Sequence, residues 1–142
     1  MKKIYLSLLL LCCCTAAAWS QQAKYVFYFI GDGMGLNQVN TTEFYLASIK
    51  GNLGIEPLCF GNFPYTTFAT SYSASSDVTD SAAGGTALAT GVKTKNGIIG
   101  MNADTIAVSS IAQWAKNSGK HVGVCTTVSI DHATPAVFYA HQ

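Results

Sequence analysis

Apolar and polar positions divide the chain into alternating blocks. Lys24 to Ile30 (KYVFYFI) is a nearly continuous run of aromatic and β-branched residues ending at Gly31, which predicts a short strand buried on both faces of a parallel sheet. From Leu36 to Ile49, apolar residues recur at Leu36, Val39, Phe44, Leu46 and Ile49, a loose helical spacing. Lys50 to Pro64 contains three glycines and two prolines and reads as a connecting loop. Tyr65 to Ser76 is rich in threonine, serine and aromatic residues and predicts a strand giving way to a loop. Ser81 to Thr90 (SAAGGTALAT) is almost entirely small, so a helix there can bring its backbone very near a sheet or a ligand. Ala107 to Lys120 predicts an amphipathic helix stopped at Gly119, and His121 to Val128 (HVGVCTTV) another buried strand. Strands alternating with helices predict an α/β layered fold with a mostly parallel sheet.

The first twenty residues stand apart from this alternation. Lys2 and Lys3 precede an apolar run from Ile4 to Cys14, and Ala16 to Ser20 are small apart from Trp19. That order is the anatomy of an export signal, so residues 1–20 are expected to be a leader and 21–142 the mature part. The expected location is periplasmic or extracellular. The run is shorter than the roughly 20 residues of a membrane span. A lipid anchor on Cys12 to Cys14 is the less favoured alternative, because Leu11 is not the small residue such signals carry.

With the leader set aside, Cys59 and Cys125 remain, a number that permits one disulfide without establishing it. Neither has the spacing of a zinc finger. Six lysines then face seven acids, so no basic surface for nucleic acid is expected. The chain has no arginine, and any bidentate clamp on an anion must come from elsewhere.

Three stretches carry candidate chemistry. In GDGMG (Gly31 to Gly35), Asp32 follows the first expected strand among glycines. The spacing fails as a dinucleotide fingerprint, because Leu36 stands where the third glycine belongs. An exposed carboxylate with little steric cover suits Mg²⁺ or Zn²⁺. The plainer reading is an Asx turn or helix cap. In VTDSAAGG (Val78 to Gly85), Asp80 and Ser81 open a helix-prone segment, and a serine at a helix N-terminus lies where a phosphate or developing oxyanion is welcome. A Gly-x-Ser-x-Gly elbow is absent, so an α/β-hydrolase nucleophile is excluded. The plainer reading is an ordinary N-cap. In DHATP, Asp131, His132 and Thr134 follow the last expected strand. A helix beginning at Pro135 accounts for them individually. Jointly, three polar strand ends on one rim of a sheet point to a shared ligand site.

FIGDGMG, the long block VTDSAAGGTALATGVKTKNGIIG (Val78 to Gly100) and DHATPAVFYAH (Asp131 to His141) resemble the N-terminal part of an alkaline phosphatase, from about Lys24 to the last residue. The resemblance implies a three-layer α/β sandwich with a mostly parallel sheet, incomplete in this chain. It implies hydrolysis of phosphate monoesters through a phosphoserine at Ser81, with two Zn²⁺ and one Mg²⁺ as cofactors. Asp32 would bind zinc and magnesium together, Thr134 would be a magnesium ligand, and His132 would organise the magnesium shell. Asp80 would position a phosphate-binding arginine. That arginine and the remaining zinc ligands are absent from the chain, so the resemblance implies that catalysis needs residues beyond Gln142, and a homodimer at full length. Two alternatives stay open: a phosphodiesterase or sulfatase of the same superfamily, and a fragment without turnover.

Overall fold

The computed structural model describes residues 23–142; the expected leader lies outside them. The chain divides into two units, residues 1–30 and 31–142. In the first, residues 25–30 form neither helix nor strand, and the side chains of Phe27 and Phe29 are largely exposed. The expected strand buried on both faces is therefore not formed. Among the described residues, segments 65–73 and 121–126 are not strands either, and Met101 and Ala107 form an isolated antiparallel bridge. The apolar pattern of such segments records a need for neighbours on both faces and both edges, which a sheet supplies only when every strand is present. The three-layer sandwich is not seen among the described residues.

The second unit contains four helices. Helix α1, Leu36–Ile49, follows Gly35, whose amide is accepted by the Gln38 side chain at 3.0 Å. Its apolar stripe is only partly used: Ala47 is buried, whereas Leu36, Phe44 and Ile49 are exposed. The loop after it folds back, with Glu43 Oε1 accepting from the Leu58 amide at 2.9 Å and Lys50 paired with Glu56 at 2.8 Å. A 3₁₀ turn, Cys59–Asn62, interrupts this loop. Cys59 and Cys125 are exposed free thiols.

Helix α2, Ser81–Thr90, is the centre of the packing. Asp80 caps it, accepting from the Ala83 amide at 2.8 Å. Ala82, Ala83, Gly85, Thr86 and Ala89 are buried, and α2 packs against α3, Ile111–Asn117, and α4, Ala133–Ala136. The small side chains make this close approach possible. A Cβ on Gly85 would sit 3.1 Å from Val137 Cγ1, tighter than ordinary contact. Thr86 Oγ1, fully buried, donates to Ile98 O at 3.2 Å and accepts from the Gly100 amide at 2.9 Å. Gly100 has φ +62, and a Cβ there would lie 2.1 Å from Ala140 O, so only glycine fits.

Helix α3 is shorter than the Ala107 to Lys120 expected, because Ser110 caps it at 3.2 Å from the Gln113 amide. The same hydroxyl donates to Phe138 O at 2.7 Å, fastening α3 to the segment after α4. Helix α4 begins at Ala133 rather than at Pro135, with His132 as its N-cap residue. Among the described residues no helix is long and apolar enough to cross a membrane.

Candidate functional site

Three residues far apart in sequence meet at the start of α2. Asp32 occupies a turn closed by the Met34 amide bonding to Gly31 O at 3.1 Å, and its side chain is exposed. Ser81, first residue of α2, directs its hydroxyl at this carboxylate and donates to Oδ1 and Oδ2 at 3.1 Å each. Thr134, in α4, donates to Asp32 Oδ2 at 2.7 Å. The packing of α4 on α2 brings the two hydroxyls to one carboxylate. The Thr134 hydrogen bond lowers the Asp32 pKa below its ordinary value; desolvation opposes it, and the Ser81 hydroxyl and the charge of His132 add smaller lowering effects.

The other expected residues are placed differently. His132 is exposed and acts on Asp32 through its charge. Asp131 is exposed, and Ser129 hydrogen-bonds to its side chain and lowers its pKa. Both Asp80 oxygens are taken by backbone: Oδ1 by the Ala83 amide at 2.8 Å and Oδ2 by the Gly97 amide at 2.6 Å. Asp80 thus ties the first turn of α2 to the turn at Asn96 and Gly97. Sequence reasoning did not single out those two residues. The adjacent asparagine and glycine are a turn signature that would have located them.

The donor set at Asp32 is one carboxylate and two hydroxyls. Oxygen ligands of this kind match a hard cation such as Mg²⁺. A catalytic zinc site takes three protein ligands, commonly with histidine nitrogen. Among the described residues no cluster of three His, Cys, Asp or Glu side chains exists that could supply them. The arrangement therefore fits magnesium through Asp32 and Thr134, and fits zinc only in part. Chemically, it presents a serine hydroxyl at a helix N-terminus, hydrogen-bonded to a carboxylate whose pKa is lowered.

The chain is similar to known proteins over most of its length. The chain is 39% identical over 133 residues to alkaline phosphatase 4 of Drosophila melanogaster, covering 87% of this chain and 22% of that protein. Among solved structures it is similar to the cold-active alkaline phosphatase of the psychrophile Shewanella sp., with 38% identity and TM-score 0.72 over 80% of this chain and 28% of that one. The alkaline phosphatase of the Antarctic bacterium TAB5 gives 41% identity and TM-score 0.68, over 78% of this chain and 30% of that one. A histidine-to-glutamate variant of the TAB5 enzyme carries Mg in its M3 site. The chain thus spans between about a fifth and a third of the length of these relatives. At these identities the likeness to the solved enzymes extends to their α/β fold. The family model for alkaline phosphatase matches residues 23–142, and the chain belongs to that family.

Proposed function

We propose that this chain is the N-terminal part of the catalytic domain of a metal-dependent phosphomonoesterase, with Ser81 as nucleophile. The observation that carries the reading is the convergence of Ser81 and Thr134 on Asp32 at 3.1 and 2.7 Å, in a chain whose family is established. Ser81 Oγ gives up its proton to solvent and attacks phosphorus, the bond from phosphorus to the ester oxygen breaks, the leaving alkoxide takes a proton from water, and the phosphoryl group stays on the serine. A water molecule then cleaves the phosphoserine, releasing inorganic phosphate and restoring the Ser81 hydroxyl. The helix start behind Ser81 offers partial positive charge to the phosphoryl oxygens. Asp32 holds the serine hydroxyl in place, and Thr134 adds a second hydroxyl donor to the carboxylate at Oδ2.

Asp32 and Thr134 would hold Mg²⁺, with His132 beside them, and Mg in the M3 site of the TAB5 variant supports that metal. Asp32 would also be one ligand of a zinc pair whose other ligands are not among residues 23–142. Bound, these ions lower the proton affinity of the serine hydroxyl and stabilise the leaving oxygen. Asp80 is placed to organise α2, and its proposed arginine partner lies outside this arginine-free chain. A periplasmic or extracellular location, set by residues 1–20, and a homodimer belong to the same proposal.

The test is hydrolysis of p-nitrophenyl phosphate by the complete gene product supplied with Zn²⁺ and Mg²⁺. Wild-type protein should turn over and yield phosphoserine at Ser81, and Ser81→Ala should lose at least ~10³-fold in kcat, as nucleophile removals do. Retained turnover in Ser81→Ala would overturn the assignment.

A further inference from the structure

Ser81 is aimed by a backbone segment that, among the described residues, has no strand beside it, and one side chain takes the strand's place. Asn96 Nδ2 donates to Val78 O at 3.0 Å, and Asn96 Oδ1 accepts from the Asp80 amide at 3.4 Å. These two backbone groups flank Thr79 and point the same way, as they do toward a partner in a sheet. The carboxamide has one donor and one acceptor face and can satisfy both at once. Asn96 is itself held, because its amide donates to Ser75 Oγ at 3.0 Å. It sits in a turn closed by the Ile98 amide on Lys95 O at 3.2 Å, with Gly97 at φ +86 as such a turn demands. The Gly97 amide then takes Asp80 Oδ2 at 2.6 Å. The 96–97 turn therefore grips residues 78–80 at three points, immediately before the serine.

We propose that Asn96 is a positioning residue for Ser81: its carboxamide fixes the entry of the chain into α2 and thereby the direction of the Ser81 hydroxyl. This rests on the reading of Ser81 as nucleophile. Asn96 hydrogen-bonds to Ser75, Val78 and Asp80, whereas Asp32 is held by Ser81 and Thr134. Asn96 acts through Val78 and Asp80, so its loss misaims the nucleophile without removing a group that binds substrate. Small displacements of a reacting atom are costly, up to about a hundredfold in rate for 1 Å.

The experiment compares Asn96→Ala, the isosteric Asn96→Asp and a control, Asn102→Ala, in the complete gene product with Zn²⁺ and Mg²⁺. Asn102 is a fair control because its side chain also accepts two backbone amides, those of Asp104 and Ile106 at 3.0 and 2.9 Å, in a different turn. Measured are kcat and KM on p-nitrophenyl phosphate and amide exchange at residues 80, 83, 87 and 97. For Asn96→Ala, kcat should fall about ten- to a hundredfold with KM unchanged. Exchange should quicken at Asp80 and Gly97 and stay slow at Ala87 within α2. Asn96→Asp keeps an acceptor but loses the donor to Val78, and its kcat should fall too. Asn102→Ala should keep wild-type kcat. Wild-type kcat in either Asn96 variant, or equal loss of protection at Ala87, would overturn the inference. If the wild-type protein forms no phosphoserine, the functional reading fails instead, and exchange at Asp80 and Gly97 alone decides: unchanged rates overturn the positioning role and quickened rates uphold it.

Discussion

The Ser81 hydroxyl lies 3.1 Å from each carboxylate oxygen of Asp32, a residue 49 positions earlier in the chain. Nothing local enforces this pairing. Asp32 sits in a glycine-rich turn and Ser81 on a capped helix, and the approach of the two is reinforced by Thr134 from a third element.

The lowered pKa of Asp32 gives the pairing a pH signature. Hydrogen bonding by Thr134 foremost, then by Ser81, together with the charge of His132, favours the carboxylate. Because the folded pKa is depressed, the contribution to stability is fully present above the unfolded value and is lost as pH falls through the folded one. The window therefore lies below the ordinary 3.8. An NMR titration of the Asp32 side-chain carbonyl should give a midpoint under 3.8, and Thr134→Val should raise it more than Ser81→Ala. A midpoint at or above 3.8 in the unmutated chain contradicts the hydrogen-bond geometry.

Asp80 should matter for stability apart from any catalytic role. Asp80→Ala removes the cap on Ala83 and the acceptor for Gly97, and the cap alone is worth about 1 kcal/mol. Adding about 1 kcal/mol for the second bond gives a loss near ~2 kcal/mol. Asp80→Asn keeps one of the two acceptor oxygens and should cost about half as much. Urea denaturation of the three proteins checks the order, and equal midpoints for aspartate and alanine would remove Asp80 from the architecture of α2.

Gly85 is where α2 meets the segment following α4. Its missing side chain admits Val137, which is 1% exposed. Gly85→Val forces three extra carbons into that contact and should destabilise by about 1–3 kcal/mol, despite the better helix propensity of most residues over glycine. It should also part Thr134 from Asp32, which is visible as faster exchange of the Thr134 hydroxyl. An unchanged unfolding midpoint would show that the two segments separate freely.

What the sequence disclosed follows from which forces are local. Helices α1 and α2 were legible because spacing from Leu36 to Ile49, and the small residues after Asp80, act within a few positions. The start of α3 was misjudged because Ser110, not the apolar pattern from Ala107, sets it. Asp32, Ser81 and Thr134 were legible as individual candidates, and their motifs supplied the family. The expected strands at 24–30, 65–76 and 121–128 were read from apolar runs whose pairing depends on partners distant in sequence, and among the described residues none becomes a strand. The Asn96 clamp was missed because its partners, Val78 and Asp80, lie 18 and 16 residues away.

The bond from Thr134 to Asp32 spans 102 positions, which gives the site a place in time as well as in space. At synthesis rates of ~5–20 residues per second, the carboxylate leaves the peptidyl-transferase centre roughly 5–20 s before the hydroxyl exists. Only in the later part of that interval, once residues 80–90 have been made, can α2 form and cap itself with Asp80, and the ligand cluster still cannot. Maturation of the site is thus a late, long-range closure, and the nascent chain must be kept from aggregating until it occurs.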